Sequence, residues 1–304
     1  MGSIFNLQQV VNGLQLGSIY ALIALGYTMV YGIVRLINFA HGDFYMIGAY
    51  TAYGAFFLFN AVLGGSGLPM AAVALVLAML ASGLVALLTN RLAYRPLRYK
   101  PKLSSLITAI GVSMLIEYLF SALPFIGPSF RAFPEILPSV PIKLGQNATI
   151  STHALIDIGV AAVLMIGLTI LVRHTTLGKA MRAVSQDKDA AKLMGIDVEK
   201  VIAWTFMIGG AFAGAAGLLA GMTYPRIFPF MGILPGLKAF IAAVLGGIGN
   251  IPGAVLGAYI MGVAETFATA YNSLLGEGIA FAILIVVLLV RPRGILGEKH
   301  ADKI

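Results

Sequence analysis

Apolar residues run along this chain in blocks long enough to cross a bilayer, broken by short polar or basic stretches. A membrane-spanning helix needs about 20 mostly apolar residues. Blocks of that kind lie at 10–34, 44–63, 69–90, 103–126, 154–172, 201–222, 235–249, 253–272 and 276–290. The seventh and ninth are short, so eight or nine transmembrane helices are expected. The fold class is an all-α polytopic membrane protein forming one unit over 1–304. The first block has no basic start or cleavage site, so it reads as a retained span rather than a signal peptide.

Two places interrupt the helical pattern. Residues 36–43 place Asn38, His41 and Asp43 with a glycine between two long blocks. Residues 235–253 form a short apolar run punctuated by Pro235, Gly236, Gly246, Gly247, Gly249, Pro252 and Gly253. Non-helical backbone at membrane depth is tolerated where it is buried in protein or lines a cavity. One break early and one late point to two pseudo-repeats split near residue 150. Within the blocks, Gly210/Gly214, Ala213/Gly217/Gly221, Gly253/Gly257 and Ala254/Ala258/Gly262 repeat small residues four apart, the pattern of closely packed membrane helices.

Lysine and arginine set the orientation. Arg91–Lys102 holds five, Arg173–Lys200 six, the segment from Arg291 four, and Arg35 stands alone. The positive-inside rule puts all four segments in the cytoplasm, with the C-terminus inside and 64–68, 127–152 and 223–234 outside. The prolines of the outer loop 127–152 exclude a long helix there and favour short extended pieces. Asn147-Ala148-Thr149 matches a glycosylation sequon without any other secretory mark.

Composition narrows the chemistry. Hydrophobic residues make up 59% of the 304 and charged residues 11%, far from the soluble average of roughly 25% charged. The net charge of +8 belongs to membrane topology rather than to nucleic-acid binding. There is no cysteine, and the four histidines lack metal-ligand spacing. No phosphate-binding loop, zinc-protease motif or nucleophile elbow is present, so an enzyme, a metal site and a resident cofactor are not expected.

Five ionisable groups fall at or near span depth: His41, Asp43, Glu117, Lys238 and Glu265. Each has a plain alternative. His41 and Asp43 fit an interfacial cap for a helix starting near Phe44. Glu117 fits a buried pair with a lysine, Lys238 a side chain snorkelling outward, and Glu265 a bond to another helix.

The stretch 178–200 is too polar to span and too apolar for a tail. Met181, Val184, Ala191 and Met194 are spaced for one face of a short amphipathic helix, with Arg182, Lys188, Asp189 and Lys192 as its charges and Gly195 as its C-cap. Such a helix lies on the membrane or docks into a partner's groove.

Several stretches together resemble the branched-chain amino acid ABC permease family: NGLQLGSIYALIALGYTMVYGIVRLINFAHGDFYMIGAY (12–50), RLAYRPLR (91–98), the segment around DAAKLMGI (189–196), GLKAFIAAVLGGIGNIPGAVLG (236–257) and RPRGILG (291–297). The resemblance implies a bacterial inner-membrane importer. A second permease subunit, two ATPase subunits that carry ATP and Mg, and a periplasmic binding protein would be the partners. It also implies that a cytoplasmic coupling helix carries E-A-A-x-x-x-G. Asp189-Ala190-Ala191-x-x-x-Gly195 matches with Asp for Glu, and Arg182 lies on the same segment. Asn38, His41, Asp43, Glu117, Lys238 and Glu265 are then the candidates for lining or gating the path. Three rivals stay open: a related permease for urea, amides or aromatic acids; a stand-alone channel or secondary carrier; and a membrane enzyme.

Overall fold

The computed structural model describes residues 7–63, 66–98, 100–144 and 148–297. Asn147 of the sequon lies outside them. The described chain folds into helices α1 (Leu7–Val34), α2 (His41–Leu63), α3 (Leu68–Thr89), α4 (Lys102–Ala122), α5 (Thr152–His174), α6 (Thr176–Gln186), α7 (Lys188–Leu193), α8 (Val198–Thr223), α9 (Ile233–Gly246), α10 (Ile251–Tyr271) and α11 (Ser273–Val290). α3 continues through a π turn, Asn90–Tyr94, and a 3₁₀ turn, Arg95–Leu97. In lipid each segment must satisfy its own backbone, which the helix does. Side-chain oxygens close several starts: Ser151 for α5, Thr175 for α6, Asp187 for α7, Asp197 for α8, Asn250 for α10 and Asn272 for α11. Each such cap contributes about 1 kcal/mol.

Seven helices among the described residues are long and apolar enough to cross a membrane: α1, α3, α4, α5, α8, α10 and α11. The remaining two apolar helices, α2 and α9, are the ones that adjoin the breaks. With 14 residues, α9 reaches only about 21 Å, short of a bilayer core of roughly 30 Å.

The helices pair by a repeated scheme. α1 lies antiparallel on α10, with Gly13 against Val263 and Gly17 against Tyr259. α8 lies antiparallel on α3, with Gly210 against Ser82 and Ala86 and Gly214 against Ala78. α2 packs on α3 and α8, and α9 on α10 and α1. Exchanging α1–α3 for α8–α10 maps one set of contacts on the other, as expected of two halves. The halves are joined by the strand region, α5 and the α6–α7 elbow. Close approach comes from small residues, since lipid supplies no hydrophobic drive between helices. A Cβ on Gly48 would collide with the Gly214 backbone.

At one end of the bundle, short strands close the loops. β1 (Arg131–Ala132) pairs antiparallel with β4 (Arg226–Ile227), and β2 (Pro141–Leu144) pairs with β3 (Ala148–Ser151) in the register Pro141↔Ser151. The opposite end carries Arg35, the turns after α3, and α6–α7.

The first break differs from the interfacial cap described above. α2 starts at His41, not near Phe44, and it starts deep inside the bundle. After α1 the chain reverses at Arg35, a non-glycine residue at φ 58°. Residues 35–40 then climb back along α1. His41 Nε2 comes within 3.2 Å of the Ile23 carbonyl oxygen. Ile23 lies 11 residues before the end of α1, or roughly 16 Å above it.

α9 starts at the same level from the other side. Gly232 and Gly42 press backbone to backbone, leaving no room for a Cβ on either. Two helix N-termini, each with the positive end of its dipole, therefore meet inside the bundle.

Candidate functional site

Around these two helix starts the buried polar residues fall into three groups. The first surrounds the start of α2. His41 is buried, its ring 4.5 Å from that of Tyr27, which in turn lies 5.7 Å from Phe240. Asn38 is buried and accepts a 2.6 Å hydrogen bond from Tyr94 on the π turn. Asp43, on the first turn of α2, faces α4, where Ser113 and Glu117 stand within hydrogen-bonding reach of its carboxyl group. These three residues share a cavity of about 300 Å³ with Ile37, Phe39, Gly42 and the start of α9.

The second group lies beyond α9. Lys238 and Glu265 form a buried ion pair at 2.6 Å, and Tyr20 donates to the other carboxylate oxygen at 2.9 Å. The outward snorkelling anticipated for Lys238 does not occur, because Glu265 on the neighbouring α10 holds its ammonium inside. That pairing also removes the lysine that Glu117 was expected to find. Glu265 lines a second cavity of about 600 Å³ with Gln15, Tyr45, Thr223 and Tyr224. Next to it, Asp157 accepts from Gln15 at 2.8 Å and from Thr223 at 2.9 Å.

Asp157 is fully buried, yet it was absent from the sequence-derived candidates. Its block begins at 154, and an acid three residues into a span stands where helix ends commonly carry polar groups. Its depth was legible only as a lone acid in an otherwise apolar run.

α9 separates the two cavities. Ile233, Gly236, Leu237 and Phe240 face the first, while Pro235 faces the second. The six path candidates thus do not form one cluster. Asn38, His41, Asp43 and Glu117 gather on one side of a half-length helix, with Lys238 and Glu265 on the other.

The third group is the elbow. One amphipathic helix was expected over this stretch, and two are found, because Asp187 caps α7 by accepting from the N–H groups of Asp189 and Ala190. Met181, Val184 and Ala191 are buried as their spacing suggests. Met194 is not. It follows the end of α7 and is 82% exposed, beside Leu193 at 89%. The chain turns away there at Gly195, whose φ of 80° suits glycine.

Asp189, Ala190 and Gly195 are exposed, and Arg182 donates to the Val172 carbonyl. Lys188 is half-buried and donates to the last carbonyl of α1, Val34, at 3.2 Å. Burial, with Arg98 and Arg35 nearby, lowers its pKa. Asp197 is held below the usual carboxylate range by the Lys200 N–H. Glu199 forms ion pairs with Arg95 and Arg98, tying the start of α8 to the turns after α3. No cluster of metal-ligating side chains occurs among the described residues.

Residues 9–288 match the family described as "Branched-chain amino acid transport system / permease component". The chain is 42% identical over 305 residues to the high-affinity branched-chain amino acid transport system permease protein LivH of Escherichia coli, covering 99% of this chain and 98% of that one. It is 44% identical over 303 residues to the permease protein BraD of Pseudomonas aeruginosa, covering 98% of each. It is 26% identical over 312 residues to the permease protein LivM of Salmonella typhimurium, covering 91% of this chain and 68% of LivM.

Proposed function

Since the chain belongs to the branched-chain amino acid transport system permease family, we propose that it is a membrane subunit of an ATP-driven importer of leucine, isoleucine and valine. Relatives named LivH and LivM, both permease proteins of high-affinity systems, support pairing with a second, related permease subunit. The chain would sit in a bacterial inner membrane with Arg35, the elbow and the C-terminus in the cytoplasm. The clustering of lysine and arginine at that end supports this orientation.

The observation that carries the coupling half of the reading is the elbow. Leu193 and Met194 stand in solvent at the tip of a segment otherwise fixed to the bundle through Met181, Val184, Ala191 and Lys188. Two exposed large apolar side chains flanked by Asp189 and Gly195 suit insertion into a groove on a partner. ATP, Mg and hydrolysis would then belong to ATPase subunits beneath. Their closure would be transmitted through α6 and α7 to α8 and α1, altering the access of the broken-helix region to one side or the other. Discrimination among solutes would rest largely on an external binding protein. Asn38, His41, Asp43 and Glu117, and beyond α9 Lys238 and Glu265, would line or gate the path.

Uptake of radiolabelled leucine by vesicles tests this. The chain is reconstituted with its second permease, ATPases and binding protein, with ATP inside the vesicle at the ATPase face. ATP-dependent uptake competed by isoleucine and valine is expected. Uptake by this chain alone would overturn the reading in favour of a carrier or channel. ATP-dependent uptake of urea, an amide or an aromatic acid but not leucine would overturn the solute.

A further inference from the structure

At the basic end of the bundle the start of α4 stands away from the end of α1, and the gap is a cavity of about 730 Å³. That lies within the usual size of ligand pockets, about 300–1,000 Å³. α4 packs elsewhere, on α2 and on the π turn after α3. Two chemistries divide the lining. Val34, Leu36, Ile37, Leu103 and Leu106 form an apolar wall. Arg35, Arg98, Lys100 and Lys188 bring four cations to the same space, and no acid is among the described residues that line it.

These cations are only partly neutralised. Glu199 pairs with Arg98, and with Arg95 outside the cavity. Arg35 and Lys100 take part in none of the ion pairs among the described residues. Lys188 donates to the Val34 carbonyl. Burial and the neighbouring Arg98 and Arg35 lower its pKa, against the smaller opposite effect of Asp189 and Glu199. Arg35 stands at the chain reversal with φ 58°, a conformation that glycine adopts without strain. The reversal nevertheless carries a guanidinium.

Like charges gathered beside an apolar wall favour an anion that also carries hydrocarbon. A soluble anion would satisfy the cations and leave the wall wet. A phospholipid with a negative head satisfies both. The apolar face continues along α4, where Leu103, Ile107 and Ile110 are exposed, so an acyl chain leaving the cavity stays on hydrocarbon. Basic pockets between helices on the cytoplasmic side are suited to lipid headgroups, because anionic lipid is present in that leaflet.

We propose that this cavity binds an anionic phospholipid, its phosphate held by Arg35, Lys100 and Lys188 and an acyl chain laid along Leu103 and Leu106 of α4. The lipid fills the gap between α1 and α4 and reaches the first residue of α7, so it forms part of the joint between the elbow and the bundle. The inference goes beyond the transport reading. It depends on the membrane setting of the chain and not on the solute carried.

The absence of cysteine makes a direct test possible. Leu106→Cys places a single thiol of this subunit on the cavity wall. The assembled complex, with cysteine-free partner subunits, is depleted of lipid in detergent, and labelling by a neutral maleimide is followed. Phosphatidylglycerol at ten times its dissociation constant is expected to slow labelling about tenfold. Phosphatidylcholine with the same acyl chains, and glycerol 3-phosphate as a free phosphate, are expected not to protect at that concentration. Lys100→Gln, at an exposed position, and Arg35→Asn, which keeps a residue tolerant of the left-handed turn, should each raise the phosphatidylglycerol required about fivefold. Leu289→Cys, on the exposed face of α11, should label at the same rate in either lipid.

Four results would overturn the site. Equal protection by the two lipids would leave only a greasy crevice, and protection by glycerol 3-phosphate would place a free phosphate there. An unchanged lipid requirement in both charge variants would remove the cations from the account. A thiol that stays unlabelled in the lipid-depleted complex would show that a partner subunit covers the gap. The readout is lipid binding, so a failure of leucine uptake would remove the solute reading and leave this site standing.

Discussion

Lys238 and Glu265, 27 positions apart in the chain, meet at 2.6 Å inside the bundle and bind α9 to α10, while Tyr20 on α1 donates to the same carboxylate. Three helices therefore converge on one buried carboxylate. Breaking such a pair by removing one partner leaves an uncompensated charge, which costs about 3–5 kcal/mol. Lys238→Met is expected to lower the detergent melting temperature sharply. The double variant Lys238→Met/Glu265→Met should recover most of the loss. A double variant no more stable than the single one would refute the pairing as the cause.

Asp157 invites a finer comparison. Gln15 and Thr223 both donate to one of its oxygens. Asp157→Asn keeps an acceptor oxygen in place, and the change in unfolding free energy should stay within about 1 kcal/mol. Asp157→Leu takes the shared acceptor from two part-buried donors and should cost about 1–3 kcal/mol. Chemical denaturation in a fixed detergent separates the two, and equal losses would argue against the hydrogen-bond account.

Gly214 and Gly54 sit in helices of similar composition but differ in their surroundings. A Cβ at Gly214 would strike Ala78 and Ser82, whereas one at Gly54 meets nothing within 4 Å. Gly214→Leu should therefore abolish stable folding, as judged by gel filtration after detergent extraction. Gly54→Ala should be neutral or stabilising by about 0.5–1 kcal/mol, from helix propensity alone. Comparable behaviour of the two variants would show that the α3–α8 seam is looser than described.

At the elbow, Leu193 and Met194 make little contact with their own bundle. Leu193→Ser/Met194→Ser is expected to leave the unfolding free energy of the isolated subunit within about 0.5 kcal/mol of wild type, as surface changes usually do. Co-purification of the ATPases and ATP-driven uptake should fall together. Normal assembly and uptake in this variant would exclude these two side chains as the docking element.

How much of this was legible beforehand varies by element. The apolar blocks located the bundle helices to within a few residues, because a bilayer permits few alternatives to a continuous helix. The breaks at 36–43 and 235–253 were visible as polar and glycine-proline interruptions. Their meaning was not. His41 looked interfacial because the sequence carries no record that residues 35–40 turn back along α1. The single amphipathic helix proposed for 178–200 became two because Asp187 is a better cap than an interior residue. That shift of phase brought Met194 out to solvent while Met181, Val184 and Ala191 stayed inside.

By itself the sequence determined that this chain lives in a membrane, that its helices pack closely, and which end carries its basic residues. These are properties of composition and local spacing, summed over many residues. Only the tertiary structure decided which buried acids meet a base and which do not. Glu265 found Lys238 and Glu117 found Asp43, although either acid could have claimed the lysine from sequence alone. The reason is geometric. Charge partners in a bundle are chosen by which faces α9 turns toward α4 and α10, and those faces are set by glycine contacts between helices far apart in the chain.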